Sequence, residues 1–202
     1  MPLPLHIFEE RYKIMIGECL DQNREFGVVY YNGNQMRRIG CTARIIKVLK
    51  RYDDGRMDIM TRGGKRFEIV DVSDSKAYLQ SRIIYLADDV EDETEEFAHL
   101  ATEGIDLLKQ LEGLTGKKVE TSFPEKPDLK LLSFLIPSND GFTLEEKQRF
   151  LEMTSRADRL RKSVESLRKI VGRTQITQDI QRMIGGNGNV PKDLIETKKE
   201  LA

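Results

Sequence analysis

Two prolines alternate with two leucines at the start of the chain, and this stretch constrains the fold more than any other. Proline fixes φ and has no N–H to give to a ladder, so residues 2–5 are predicted to be extended and to avoid a central strand. Helical spacing follows, with apolar residues at Phe8, Tyr12, Ile16 and Cys19. Steps of three and four place these residues on one face of a helix. We therefore expect an extended segment that leads into an amphipathic helix, with Phe8 and Tyr12 buried.

Short β-rich runs separated by turns occupy the rest of residues 1–87. Asn32-Gly33 and Asp53-Asp54-Gly55 are strong hairpin signals. The doubled Ile45-Ile46 indicates a bulge, and Arg62-Gly63-Gly64-Lys65 is expected to interrupt a strand at a bulge or corner. With only the opening helix among them, these strands predict a small barrel or a curled antiparallel sheet. The predicted strands are Phe26–Tyr31, Ile39–Leu49, Met57–Thr61, Phe67–Val72 and Tyr78–Leu86.

The composition changes near residue 88. Residues 1–87 hold 15 Lys and Arg against 11 Asp and Glu, residues 88–141 hold 5 against 14, and residues 142–202 hold 13 against 9. We place a domain boundary at this change. The acidic run at residues 88–96 is predicted to be the solvated start of a helix, where the helix dipole favours negative charge. A docking surface for basic partners is the alternative.

Helical patterns then continue to about residue 184, which predicts a helical bundle over residues 88–184 and a flexible tail over residues 185–202. A short apolar helix, Leu129–Ile136, is expected to stop at Pro137. Thr143 with Glu146 forms a capping-box pattern. The last helix repeats apolar residues with a break expected near Thr174. Its predicted apolar positions are Ala157, Leu160, Val164, Leu167, Val171, Ile176, Ile180 and Ile184.

Several motifs in one order resemble the Lon N-terminal (LON substrate-binding) domain family. PLPLHIFEERY with MIGECL opens the series, and FGVV, IGCTARI, DGRMDIMTRGGKRFEI and LSFLI with EEKQRFLE follow. Together they extend to about residue 170. The resemblance implies an α+β fold, in which a PUA-like β pseudo-barrel with an inserted helix precedes a C-terminal α-helical bundle. Members of the family carry one more apolar strand before this opening, so we expect the first strand to be missing here.

No constellation of catalytic or metal-binding residues emerges from the sequence. His6 and His99 have no His or Cys neighbour at ligand spacing, and no phosphate-loop or Gly-x-Ser-x-Gly motif occurs. The Ser–Lys protease module and the ATPase of full-length Lon proteases have no counterpart among these residues. We therefore expect no cofactor, no metal and no enzymatic activity. Two isolated cysteines and no apolar run of ~20 residues indicate a cytoplasmic protein without a membrane span.

The resemblance implies a stand-alone module that binds unfolded or extended polypeptide. A protease or a chaperone is a candidate partner, and the sequence leaves open whether the protein acts with one. We expect a groove where the barrel meets the bundle, because such junctions are common binding sites. Phe8, Arg11 and Tyr12 are the candidate peptide-binding residues. The alternative is an RNA- or DNA-binding PUA-like domain. Its candidate residues are Arg37, Arg38, Lys47, Lys50, Arg51, Lys65 and Arg66, with Tyr30, Tyr31, Tyr52 and Phe67 for stacking. The sequence leaves the oligomeric state open.

Overall fold

The computed structural model describes residues 2–92, 94–117 and 128–185 of the 202-residue chain. Contacts divide it into two compact units, Met1–Asp88 with the strands and Asp89–Ala202 with four of the five helices. The predicted tail lies outside the described residues from residue 186 on. The elements are β1 Pro2–Ile7, α1 Glu10–Asp21, β2 Phe26–Tyr31, β3 Met36–Arg51, β4 Met57–Ser73, β5 Gln80–Tyr85, α2 Glu95–Thr115, α3 Leu129–Ser138, α4 Leu144–Glu152 and α5 Arg156–Gly185. No helix in the described ranges has the length and apolar character needed to cross a bilayer.

One antiparallel sheet of five strands forms the first unit. Its hydrogen-bonded order is β1-β4-β3-β2, and β5 pairs with the second half of β4. β1 pairs with the first half of β4, so the long strand β4 carries two short strands in succession. This antiparallel sheet followed by helices confirms the α+β class expected from the sequence.

Turn and bulge positions agree with the sequence pattern, but β3 is longer than predicted and β4 joins two predicted strands into one. Gly33 and Gly55 adopt φ of 94° and 82° at the two hairpin turns, a conformation that side chains with a Cβ rarely tolerate. The register of β3 against β4 shifts between Ile45 and Lys47, which confirms the bulge. The expected bulge forms at Gly63-Gly64, but it does not interrupt the strand. β4 runs through it, because a second register shift absorbs the extra residues.

The core of the first unit packs α1 against the sheet. Ile16 and Ile59 are fully buried, and Phe26, Ala43, Met57 and Ile7 complete the buried cluster. The predicted burial of Phe8 and Tyr12 is wrong, because their side chains are 60% and 37% exposed. The helix begins at Glu10, so Phe8 lies outside it and does not share its periodicity.

Two sets of polar contacts link separate segments of the first unit. Glu18 on α1 accepts hydrogen bonds from Lys76 Nζ at 2.5 Å and Tyr78 Oη at 2.7 Å. These two bonds lower the pKa of the Glu18 carboxyl. Near the end of the unit, the Arg66 guanidinium donates to Asp88 Oδ1 at 2.6 Å, and both side chains are only 7% exposed. A buried, hydrogen-bonded ion pair of this kind is costly to break on one side.

The second unit is a helical bundle whose core follows the predicted apolar positions. Leu108, Leu132, Ile136, Leu160, Val164 and Leu167 are fully buried in one cluster with Phe97, Phe142 and Phe150. Thr94 caps α2, and the capping box of Thr143 and Glu146 is formed at the start of α4. These caps satisfy backbone N–H groups that a helix start leaves without partners.

Two details of the second unit differ from the prediction. α3 does not stop before Pro137 but includes it in its last turn and ends at Ser138. α5 continues from Arg156 to Gly185 without a break at Thr174. The isoleucines beyond that point do not extend the buried face, since Ile176, Ile180 and Ile184 are 61%, 45% and 78% exposed.

Candidate polypeptide-binding surface

The link between β1 and α1 carries the residues that the sequence suggested for peptide binding. β1 fixes the chain up to Ile7 through its pairing with β4, and α1 fixes it again from Glu10. Phe8 lies between these two elements and exposes 60% of its side chain. Its ring stacks on His6 with 6.0 Å between centroids and 20° between planes. The backbone thus holds an exposed aromatic ring in a defined place.

His6 and Tyr52 are joined through one carboxylate. His6 Nδ1 lies 2.5 Å from Asp58 Oδ1, and Tyr52 Oη donates to Asp58 Oδ2 at 2.7 Å. Two hydrogen bonds, the one from His6 with the larger effect and the one from Tyr52, hold the pKa of the Asp58 carboxyl below its ordinary value. An ionised carboxylate only accepts hydrogen bonds, so Nδ1 of His6 carries the proton. The same contact with Asp58 raises the pKa of Tyr52.

Aromatic contacts make Phe8, His6 and Tyr52 a continuous row. The His6 and Tyr52 rings meet edge to face with 5.9 Å between centroids. Two cations lie over the Tyr52 ring, Lys50 Nζ at 4.4 Å and Arg56 Cζ at 5.0 Å from its centroid. Cation–π contacts of this kind contribute about 0.5–1 kcal/mol at exposed sites. We call Phe8, His6 and Tyr52 the aromatic row.

Arg11 and Tyr12 form a second group at the start of α1. The Arg11 guanidinium lies 4.6 Å from the centroid of the Tyr12 ring, and its Nε donates to Glu9 Oε2 at 2.8 Å. Tyr12 remains 37% exposed. This group presents an aromatic face and a charge-compensated guanidinium to solvent. Such groups contact side chains and backbone amides of a partner without needing a deep pocket.

Of the three residues suggested by the sequence, Phe8 therefore lies on the link in the aromatic row, and Arg11 and Tyr12 lie next to each other in the first turn of α1. The sequence showed no ligand neighbour for His6 and suggested Tyr52 for stacking on bases, and it did not single out Asp58. Pairing of β1 with β4 places His6 opposite Asp58. Alternation on β4 indicates that Asp58 points away from the core, but the register that brings it to His6 is not visible in the sequence.

Part of the set suggested for nucleic-acid binding is occupied by contacts within the protein. The Phe67 ring is 3% exposed and cannot stack on a base. Arg66 is buried against Asp88, and Arg38 donates to the Ile69 carbonyl oxygen. These contacts reduce the basic surface that this alternative requires.

No cluster of metal-binding side chains is seen in the described ranges of the chain. No group of three or more His, Cys, Asp and Glu side chains there could hold an ion. A depression of about 180 Å³ in the second unit is lined by Thr94, Glu96, Phe97, Leu100, Ala157 and Arg161. It is smaller than the ~300–1,000 Å³ typical of small-molecule sites. His99 is exposed on α2.

Comparisons with known proteins all point to Lon proteases. The family model of the ATP-dependent protease La (LON) substrate-binding domain matches residues 1–169. The Lon protease of Flavobacterium johnsoniae is 26% identical over 159 residues, which are 75% of this chain and 19% of that protein. Lon protease 2 of Myxococcus xanthus is 26% identical over 183 residues, 83% of this chain and 21% of that protein. The chain thus spans about a fifth of the length of these relatives.

Solved structures show the same fold. A Lon N-terminal domain protein from Xanthomonas campestris superposes with a TM-score of 0.62 at 19% identity, covering 80% of this chain and 87% of that one. The N-terminal domain of a Mycobacterium avium complex Lon protease gives 0.65 at 18% identity, covering 83% and 89%.

Proposed function

The chain belongs to the family of LON substrate-binding domains, and from this premise we propose that it recognises unfolded or extended polypeptide without catalysing a reaction. The observation that carries the proposal is the aromatic row, in which Phe8 stands 60% exposed at a position fixed on both sides by β1 and α1. Exposed apolar surface in a fixed place is typical of a protein-interaction site.

The chemistry of the surface fits an unfolded polypeptide better than a folded partner. An unfolded segment offers aromatic and aliphatic side chains together with backbone amides. The ring of Phe8 packs against the apolar side chains, and the Arg11 guanidinium beside Tyr12 donates to backbone carbonyl oxygens. Because the contacts are few and exposed, we expect micromolar dissociation constants or weaker.

A role beside a protease or chaperone follows from the same proposal. A module that holds a client without acting on it needs a second protein to process the client. We propose that Phe8, Arg11 and Tyr12 form the client-contacting surface, and that the cytoplasm is where the protein works. Neither proposal requires a cofactor.

Fluorescence anisotropy tests the proposal directly. The probe is dye-labelled α-lactalbumin that has been reduced and carboxymethylated and therefore stays unfolded, and the control is the same protein in its native form. We expect saturable binding of the unfolded probe at micromolar concentrations and none of the native one. A flat titration with the unfolded probe, or equal binding of both forms, would refute the proposal.

A further inference from the structure

The free edges of the sheet differ in their ability to accept another strand. Among the described residues, β1, β2 and β5 each pair with one strand and leave one edge open. An open edge offers backbone N–H and C=O groups to an extended segment, unless proline, charge or a covering element protects it. The comparison of these three strands therefore shows which of them best accepts a polypeptide as an added strand.

Two prolines protect the edge of β1. Thr61 Oγ1 donates to the Leu3 carbonyl oxygen at 2.8 Å, and Leu3 is the partner of Thr61 in the ladder. The backbone groups of Leu3 therefore face β4, and those of Pro2 and Pro4, which alternate with it, face outward. Proline has no N–H, so two of the outward positions cannot donate. β5 carries the charged Arg82 in its middle, with Gln80 and Ser81 before it.

The edge of β2 carries neither proline nor charge. Its sequence is FGVVYY, and Val28 and Tyr31 are 38% and 61% exposed. An uncharged, proline-free edge strand is the kind that pairs most readily with another chain.

The orientation of the β2 backbone can be read from two neighbouring contacts. The Val28 carbonyl oxygen lies 2.5 Å from the position that a Cβ on Gly40 of β3 would take, which directs this carbonyl toward β3. At the hairpin end, Asn32 N donates to the Gln35 carbonyl oxygen at 3.3 Å. Because backbone groups alternate along a strand, Gly27, Val29 and Tyr31 direct their N–H and C=O groups to the open edge.

We infer that the open edge of β2 accepts an extended segment of the bound polypeptide as an added β-strand. This inference rests on the proposed function and assigns it a binding mode. Main-chain hydrogen bonds to Gly27, Val29 and Tyr31 hold the segment and do not depend on its sequence. The uncharged side chains of Val28 and Tyr31 favour segments rich in β-branched and aromatic residues. The partner is therefore an unfolded, apolar stretch of another protein.

Proline at Val29 tests the inference, because it removes one outward N–H and leaves the inward ladder of β2 intact. Val29→Ala is the matched control, since it shortens the side chain and keeps the N–H. With the unfolded α-lactalbumin probe, we expect Val29→Pro to bind about tenfold more weakly and Val29→Ala to bind within about twofold of the unchanged protein. Equal binding by all three would overturn the inference and leave the proposed function standing. Equal loss in both variants would also overturn it.

Amide hydrogen exchange on the unchanged protein decides the matter even if Val29→Pro does not fold. We expect the amides of Gly27, Val29 and Tyr31 to exchange faster than that of Val28 in the free protein, and to slow at least about tenfold with saturating probe. Unchanged exchange under saturation would overturn the inference, and so would protection that grows with protein concentration alone, since a second copy of the chain would then occupy the edge. Absence of any binding would remove the proposed function together with the inference.

Discussion

Replacing Phe8 by alanine separates the binding role of this side chain from its role in stability. Burying a phenylalanine completely is worth about 1.5–3 kcal/mol, and 60% of the Phe8 side chain is still exposed in the free protein. If a bound polypeptide covers that fraction, Phe8→Ala loses about 0.9–1.8 kcal/mol of binding free energy. The expected result is a dissociation constant raised about 5- to 20-fold.

The same reasoning limits the effect on folding. The 40% of Phe8 that is already covered contributes only about 0.6–1.2 kcal/mol, so the free energy of unfolding falls by no more than that. Leu144→Ala is the matched control, because Leu144 is 63% exposed on α4 in the other unit. Anisotropy with the unfolded probe measures binding, and urea denaturation measures stability.

Two results would refute the argument about Phe8. Unchanged affinity in Phe8→Ala would show that bound polypeptide does not cover this ring. A loss of several kcal/mol in unfolding free energy would show that Phe8 belongs to the core, contrary to its exposure in the structure. Equal weakening in Leu144→Ala would show that the effect is not specific to the aromatic row.

Three further predictions concern the framework of the protein. Asp88→Asn replaces a charged acceptor of the buried Arg66 guanidinium by a neutral one and should lower the free energy of unfolding by about 3–5 kcal/mol in urea denaturation. Gly172→Ala should raise it by about 1 kcal/mol, because Gly172 is exposed within α5 and a Cβ there meets nothing within 4 Å. Since the folded pKa of Asp58 is lowered, its stabilising contribution is present above about pH 3.9 and is lost as the pH falls further through that lowered pKa. Asp58→Asn should make acid unfolding less steep over this range.

Matched controls accompany these predictions. Glu68→Gln removes the partner of an exposed ion pair with Arg38 and should change stability by no more than about 1 kcal/mol, so an equal loss in both ion-pair variants would contradict the role of burial. Gly104→Ala should give no gain, because a Cβ there would lie 2.8 Å from Ile136 Cδ1 in the core. A gain equal to that at Gly172 would show that this core accommodates the methyl group. An unchanged acid transition in Asp58→Asn would refute the pH argument.

Local patterns were sufficient for much of the fold. The bounds of β2 were predicted as observed, because a β-rich run ended at a strong Asn-Gly turn. The apolar spacing of α5 identified Leu160, Val164 and Leu167, which are fully buried. Both features depend on local signals, a turn for β2 and a repeat of apolar residues for α5, so no long-range information was needed.

Long-range pairing explains what sequence reasoning missed. The exposure of Phe8 depends on where β1 ends and α1 begins, and that boundary is set by the pairing of Ile7 with Met57 fifty residues later. The continuity of β4 through Gly63 depends on a register shift against β3. Periodicity within a segment carries no information about either event.

The same limit applies to the candidate surface. Phe8, Arg11 and Tyr12 were suggested because they begin the helix expected nearest the junction of the barrel and the bundle, and their neighbours along the chain are visible in the sequence. Tyr52 belongs to the aromatic row, and Asp58 joins it to His6. Both lie about fifty positions further along the chain than His6 and Phe8. A register between β1 and β4 is required before these residues can be grouped.

One titration tests the central claim most directly. The full chain is titrated into two probes that carry the same dye, unfolded α-lactalbumin and a single-stranded RNA, at low and at physiological salt. Polypeptide recognition predicts saturable binding of the unfolded protein at both salt concentrations and no binding of the RNA. Salt-sensitive binding of the RNA together with a flat response to the unfolded protein would contradict the account.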